Sequence, residues 1–213
     1  MSTDKRDFDT AAANWDEQPA RVQMANDVAA AMAREVTLTP DTEVLDFGCG
    51  TGLLTLQLAP QVKSITGVDS SRGMLNVLAA KVTKLNVGNV RTLLLDLEAG
   101  DTLPDTYDLI VSNMTLHHIR EVGPLLDRFH QAIVPGGHLC LSDLDPDEGL
   151  FHSDSRGVFH AGFDRGALRR AFADAGFEDI RDTTAAEVIK PIRAGELRRF
   201  TIFLMTGRRR GAA

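Results

Sequence analysis

The chain is 213 residues long, with 23 Lys and Arg against 30 Asp and Glu and a formal net charge of −7. That length suits one domain, and a domain of this size buries about 70% of its unfolded surface, so no disulfide or metal staple is needed. Hydrophobic residues at 43% and charged residues at 25% exclude a disordered chain, and no run of about 18 apolar residues offers a membrane-spanning helix.

Residues 1–10 are polar, with no apolar stretch to serve as a signal peptide. Two cysteines suit a reducing cytoplasm. Residues 18–35, rich in Ala with Val and Met at helical spacing, predict a leading helix. A strand follows at 43–47, then a glycine turn and a helix over 53–59. The pattern continues with a strand at 64–69, a helix at 72–85, and strands at 90–96 and 107–112. A helix at 122–133 stops at Pro135-Gly136-Gly137, which feeds a fifth strand at 138–142. Asp164 is a plausible N-cap for a helix that Gly176 stops after Ala175. Two late strands, 180–188 and 200–206, are close enough to form an antiparallel hairpin. Strands spaced by helices predict one α/β domain with a doubly wound, mostly parallel sheet.

The charge is unevenly placed. Residues 181–213 hold 8 Lys and Arg against 3 Asp and Glu, leaving 15 against 27 in residues 1–180. So acidic a body argues against a phosphate-backbone footprint, and Arg208, Arg209 and Arg210 read as a solvated basic end. The 10 Phe, one Trp and one Tyr are not interleaved with basic residues as a single-strand stacking platform requires. Nucleic acid and membrane are both disfavoured as partners.

In an open parallel sheet, ligands bind beyond the carboxyl ends of the strands. The first such loop reads Val44-Leu-Asp46-Phe-Gly48-Cys49-Gly50-Thr-Gly52-Leu53. Alternate glycines let the backbone turn sharply and approach a ligand. A dinucleotide fingerprint would need glycine at position 53, and a phosphate loop would need Gly-Lys-Ser/Thr; neither is present. Asp46 instead sits just before the glycines. Because a helix N-terminus favours anions, a carboxylate here suggests a ligand that carries positive charge. Asp69 closes the second strand, where a carboxylate accepts from a ribose diol. Asp96 closes the third, placed for an adenine amino group. A lone strand-end Asp is usually a turn or helix cap. Three in succession around a glycine loop form a site pattern.

At these residues the sequence resembles the class I S-adenosylmethionine-dependent methyltransferases, over roughly residues 40–145. The resemblance implies a Rossmann-like seven-stranded sheet with helices on both faces and an antiparallel C-terminal edge hairpin. It divides the single domain into an N-terminal cap (1–39), a cofactor-binding core (40–145) and an acceptor-side segment with the closing strands (146–213). It implies S-adenosylmethionine as cofactor and S-adenosylhomocysteine as product. Asp46, Gly48, Cys49, Gly50 and Gly52 would line the methionine and ribose side. Asp69 and Ser70 would bind the ribose, Met74 would pack on the adenine, and Asp96 with Leu97 would meet its edge. Asn113, in Ser112-Asn113-Met114-Thr-Leu-His117-His118, belongs to the segment that lines the methyl-donor pocket. Trp15 falls in a leading segment that often folds over the cofactor, and it serves equally well as an anchor for the first helix.

The resemblance also bears on the acceptor. The family's base- and glutamine-methylating branch carries an Asn/Asp-Pro-Pro-aromatic string after the fourth strand, which is absent here. Its cytosine-C5 branch uses a Pro-Cys nucleophile, and neither Cys49 nor Cys140 follows a proline. Two thiols are too few for arsenite chemistry. The resemblance to the family's small-molecule enzymes implies a small-molecule acceptor, with a non-catalytic cofactor-binding module or a protein or RNA acceptor as alternatives. Methyl transfer needs alignment and sometimes a base, and His suits neutral pH. His118 and His160 are the preferred catalytic residues, with His117, Phe151, His152 and Phe159 shaping the substrate pocket. Asp143, Asp145, Asp147 and Glu148 could offer oxygen ligands to Mg²⁺, but the fourth-strand end supplies no carboxylate. They read better as a solvated acidic loop, so no metal is expected. A monomer and a homodimer are both compatible with the chain.

Overall fold

The computed structural model describes residues 6–192 and 195–211. Strands β1 (Glu43–Phe47), β2 (Ser64–Asp69), β3 (Val90–Leu94), β4 (Tyr107–Asn113) and β5 (Ile133–Leu144) pair in parallel, in the order β3-β2-β1-β4-β5. β6 (Phe177–Pro191) and β7 (Leu197–Arg209) complete a seven-stranded sheet. The stretch between them is too short for a crossover, so they pair antiparallel. β7 inserts between β5 and β6, antiparallel to both, and leaves β6 at the edge.

The strands alternate between two cores, as their period of two requires. Val44, Val111, Cys140 and Leu204 face helix α2 (Pro19–Glu35) and the short α3 (Thr55–Leu58). Leu45, Ile110, Leu141 and Phe203 face α5 (Val122–Ala132) and α6 (Arg165–Asp174). Helix α4 (Arg72–Leu85) packs on β2 and β3. Its N-cap is Ser71, whose Oγ accepts the Met74 N–H at 3.1 Å, and Asp164 caps α6 by accepting from Ala167 at 2.7 Å.

Several boundaries differ from the sequence reading. Pro135-Gly136-Gly137 is no turn before the fifth strand; β5 begins at Ile133 and carries the three residues as a bulge. Ile133 pairs with Tyr107 and His138 with Leu109, so the extra residues are pushed out of register. Proline has no N–H for the ladder, and Gly136 takes φ +88°. The basic end is not free either: Arg208 and Arg209 belong to β7, Arg208 pairs with Asp179, and Arg209 donates to the His130 carbonyl. β3 stops at Leu94, so Asp96 lies in the loop beyond it.

Candidate active site

The glycine turn after β1 is fixed by backbone bonds. Gly48 and Cys49 both donate to the Val68 carbonyl, at 2.9 and 3.0 Å. Gly48, Gly50 and Gly52 adopt φ of +70°, +53° and +82°, which side-chain-bearing residues avoid. A Cβ at Gly48 would strike Thr115, and one at Gly52 would strike Leu78 Cδ1. At Gly50 it would meet only the Met74 sulfur at 3.9 Å, so this glycine leaves open space. Gly52→Ala combines left-handed strain with overpacking and should lower stability by about 2 kcal/mol in denaturant melts. A midpoint unchanged from the parent would show that α4 yields freely.

Two carboxylates flank this turn. Asp69 accepts the Gly50 N–H at 2.9 Å on one oxygen and the Ser71 N–H at 2.8 Å on the other. Burial nonetheless raises its pKa. Asp46 is 1% exposed and accepts from Thr55 Oγ1 at 2.6 Å. Burial pushes it up to about 7. Asp96 Oδ1 accepts from the Ala99 N–H at 3.3 Å.

The N-terminal segment is clasped onto the turn. Asp9, in α1 (Phe8–Ala11), accepts from Ser71 Oγ at 2.6 Å and from the Gly73 N–H at 2.7 Å. Asp16 accepts from Thr51 Oγ1 at 2.6 Å and pairs with Lys81. Trp15 lies 5.9 Å from the Phe8 ring, with the Arg21 guanidinium 3.8 Å over its face.

Beyond β4 and β5 three imidazoles gather. The His117 ring is 4.1 Å from that of His118 and 4.7 Å from that of His152. His117 Nδ1 is 2.8 Å from Asp143 Oδ1, with both side chains fully enclosed. Burial alone would raise the Asp143 carboxyl. The His117 ring, together with the His117 and Leu144 N–H donors, outweighs it and holds the group below the usual carboxylate range. This overturns the solvated-loop expectation. Asp143 and Asp147 are buried, and Asp145 is bound by Arg165 and Thr201; Glu148 alone of the four is exposed.

His118 Nδ1 lies 2.6 Å from the Gly157 carbonyl. Burial, then the neighbouring His117, lowers its pKa to about 4, and burial with the same neighbours lowers His152 to about 3. Both rings are neutral when folded at pH 5 and charged when unfolded, so stability falls as pH drops from 6.5 toward 4. Asp46 acts oppositely over roughly pH 4 to 7, because the folded state retains its proton. Asp46→Asn should therefore steepen the acid-side loss of stability, measured as melting midpoints against pH. An unaltered slope would show that Asp46 is ionised throughout.

These groups meet in one cavity of about 650 Å³ at the carboxyl ends of the strands, within the range of small-molecule sites. Every residue predicted from the sequence lines it except Gly52 and His160. Gly52 packs against α4, while His160 Nε2 is 2.8 Å from the Ile119 carbonyl and its ring rests on Phe163. The sequence reading missed Asp143, Asp9, Arg6 and Lys190. One signal was available for Lys190: Ala186 and Val188 are buried on one face of β6, and position 190 continues that period. Among the described residues no group of three His, Cys, Asp or Glu is arranged to hold a metal ion. No helix among them is long and apolar enough to cross a membrane.

A glycine turn after β1, with an acid ending β2, lies at the carboxyl ends of the strands, where open α/β sheets hold their ligands. A methyltransferase-domain family model matches residues 20–182, and the chain belongs to that family. It is 30% identical over 166 residues to an uncharacterised methyltransferase of Schizosaccharomyces pombe, covering 71% of this chain and 56% of that protein. The chain thus spans little more than half the length of this curated relative. The YcgJ protein of Bacillus subtilis shares the fold, with a TM-score of 0.74 at 17% identity over 87% of this chain and 99% of that one. So does phosphoethanolamine N-methyltransferase 2 of Haemonchus contortus in complex with S-adenosylmethionine, with a TM-score of 0.69 at 17% identity over 87% of this chain and 52% of that one.

Proposed function

We propose that this chain binds S-adenosylmethionine and transfers its methyl group to a small-molecule acceptor. What carries the reading is one cavity that joins a glycine turn and the carboxylate beside it to a cluster of three imidazoles. The donor set fits the cofactor. Each Asp69 oxygen is oriented by one backbone N–H and keeps lone-pair capacity for a ribose hydroxyl. Gly50 leaves the space a side chain would fill, and Met74, Leu97 and Asp96 offer apolar and polar surface to a base.

When bound, the cofactor supplies an electrophilic methyl carbon on a sulfonium. Asp46 lines the cavity at the glycine turn, where positive charge on a ligand would draw off its proton. The Asp143 carboxylate can only accept, so His117 Nδ1 donates to it and Nε2 is left to take an acceptor's proton. The Gly157 carbonyl fixes His118 in the same tautomer. With a pKa near 4, His118 is a weak base that orients an acceptor by accepting its hydrogen bond. Phe8 and Trp15 line the cavity as an aromatic pair that would shield a bound ligand from water. His160 takes no part, being bound to Ile119.

Titration with S-adenosylhomocysteine should show saturable binding at micromolar strength or better, and no heat on mixing overturns the cofactor assignment. Incubation with methyl-labelled cofactor and a metabolite extract should then place label in the small-molecule fraction. Label confined to protein or RNA overturns the acceptor class.

A further inference from the structure

Resting on that methyltransferase reading, we propose that the acceptor is an anion, whose carboxylate or phosphate is held by Arg6 and Lys190 beside the imidazole cluster. Three cations, Arg6, Arg21 and Lys190, line the cavity, and all three are half-buried. Among the described residues none has a carboxylate within ion-pair distance; the contacts they make are with rings and carbonyls. Arg6 sits 5.5 Å from the centroids of Phe8 and Trp15, and Arg21 stacks on Trp15 and donates to its carbonyl. Lys190 lies 4.4 Å from the Phe151 centroid and donates to the Phe151 carbonyl.

The acids nearby are already engaged. Asp9 accepts from Ser71 and Gly73, Asp7 from Thr10, and buried Asp147 from Gly149 and Phe151. Burial lowers the pKa of Lys190 and of Arg21, and repulsion lowers both further, as Arg21 and Arg6 act on Lys190 and Arg6 acts on Arg21. The attraction of Asp147 for Lys190 and of Asp16 for Arg21 offsets this only in part. Like charges held together and partly desolvated are costly unless an anion joins them.

The cofactor does not supply enough of one. It carries one carboxylate against a sulfonium and an ammonium, and so adds net positive charge to the cavity. Its carboxylate can satisfy one of the three cations. Two remain, and the remaining occupant of the cavity is the acceptor. Arg6 and Lys190 both act electrostatically on His152, which places their charge at the imidazole end. His152 Nε2 is itself buried without a partner among the described residues, a further group able to meet a polar acceptor. Phe151 and Phe159 line the same end with apolar surface.

The test uses the chain saturated with S-adenosylhomocysteine and four probes of one shape: benzoate, phenyl phosphate, neutral benzamide and cationic benzylamine. Benzoate or phenyl phosphate should bind saturably, and about tenfold or more tighter than benzamide, with benzylamine weakest. The stronger of the two anions identifies the carboxylate or phosphate class. In Arg6→Gln/Lys190→Gln the preference for anion over benzamide should disappear, while S-adenosylhomocysteine affinity and the melting midpoint stay near those of the parent. Benzamide binding as tightly as the anions overturns the proposal. So does an anion preference that survives the double substitution, or no saturable binding by either anion. Failure of S-adenosylhomocysteine to bind at the outset is a separate result, and it strikes the methyltransferase reading instead.

Discussion

Asp143→Ala is expected to lower folding stability by about 3–5 kcal/mol and to abolish methyl transfer. Asp143 is 0% exposed and His117 1%, and their Oδ1–Nδ1 contact of 2.8 Å is joined by N–H donors from His117 and Leu144. Removing the carboxylate strands three donors in a dry interior, and each loses its partner where no solvent replaces it. The chain should melt roughly 10 °C lower. Asp143→Asn keeps the volume and one acceptor oxygen, so it should fold with a smaller loss yet transfer methyl groups slowly, because the carboxylate that fixes the His117 Nδ1–H tautomer is gone. A parent-like melting midpoint for Asp143→Ala would show that the pair contributes nothing net. Parent-like turnover for a folded Asp143→Asn would remove His117 from the chemistry.

Asp69→Ala is expected to weaken S-adenosylhomocysteine binding about a hundredfold, from two charged hydrogen bonds that together contribute about 3 kcal/mol. Because Asp69 also holds the Gly50 and Ser71 N–H groups, the same substitution loosens the turn. Asp69→Asn separates the two effects, since its amide oxygen can still accept from one backbone donor. Calorimetric titration of both variants, beside their melting curves, distinguishes lost contact from lost order. Affinity unchanged in both would place the ribose elsewhere.

Much of the glycine-turn end of the cavity was legible because its determinants are local. The glycines act through their own φ angles, and Asp69 through its place at the end of a strand whose apolar run is plain in the chain. Capping by Asp164 was likewise a short-range pattern, and its side chain makes the expected bond. Asp96 was read as the last residue of a strand, but pairing with β2 ends at Leu94, and the loop then bonds to itself through Ala99 and Asp101.

The imidazole end was hidden for a different reason. Asp143 follows the strand predicted at 138–142, in a run of acids that reads as a solvated loop, whereas β5 continues through it to Leu144. Only the approach of the turn after β4 encloses it and supplies His117, 26 residues away in sequence. Lys190 is an ordinary strand lysine until the hairpin folds β7 between β5 and β6 and brings its amine to Phe151. Arg6 lies before the first helix, and the Asp9 and Asp16 clasps carry it over the cavity.

The negative charge of the chain takes on meaning at this scale. Of its 30 acids, Asp69 serves the turn, Asp143 serves a histidine, and Asp9 and Asp16 fasten the N-terminal segment. The sequence alone determined the alternation of strands and helices and the glycine turn, because periodicity, caps and glycine dihedrals act within a few residues. Only the tertiary structure decided which imidazole meets a carboxylate and which cations are left without one among the described residues. Those depend on burial and on contacts between segments that strand order, and not chain order, makes neighbours.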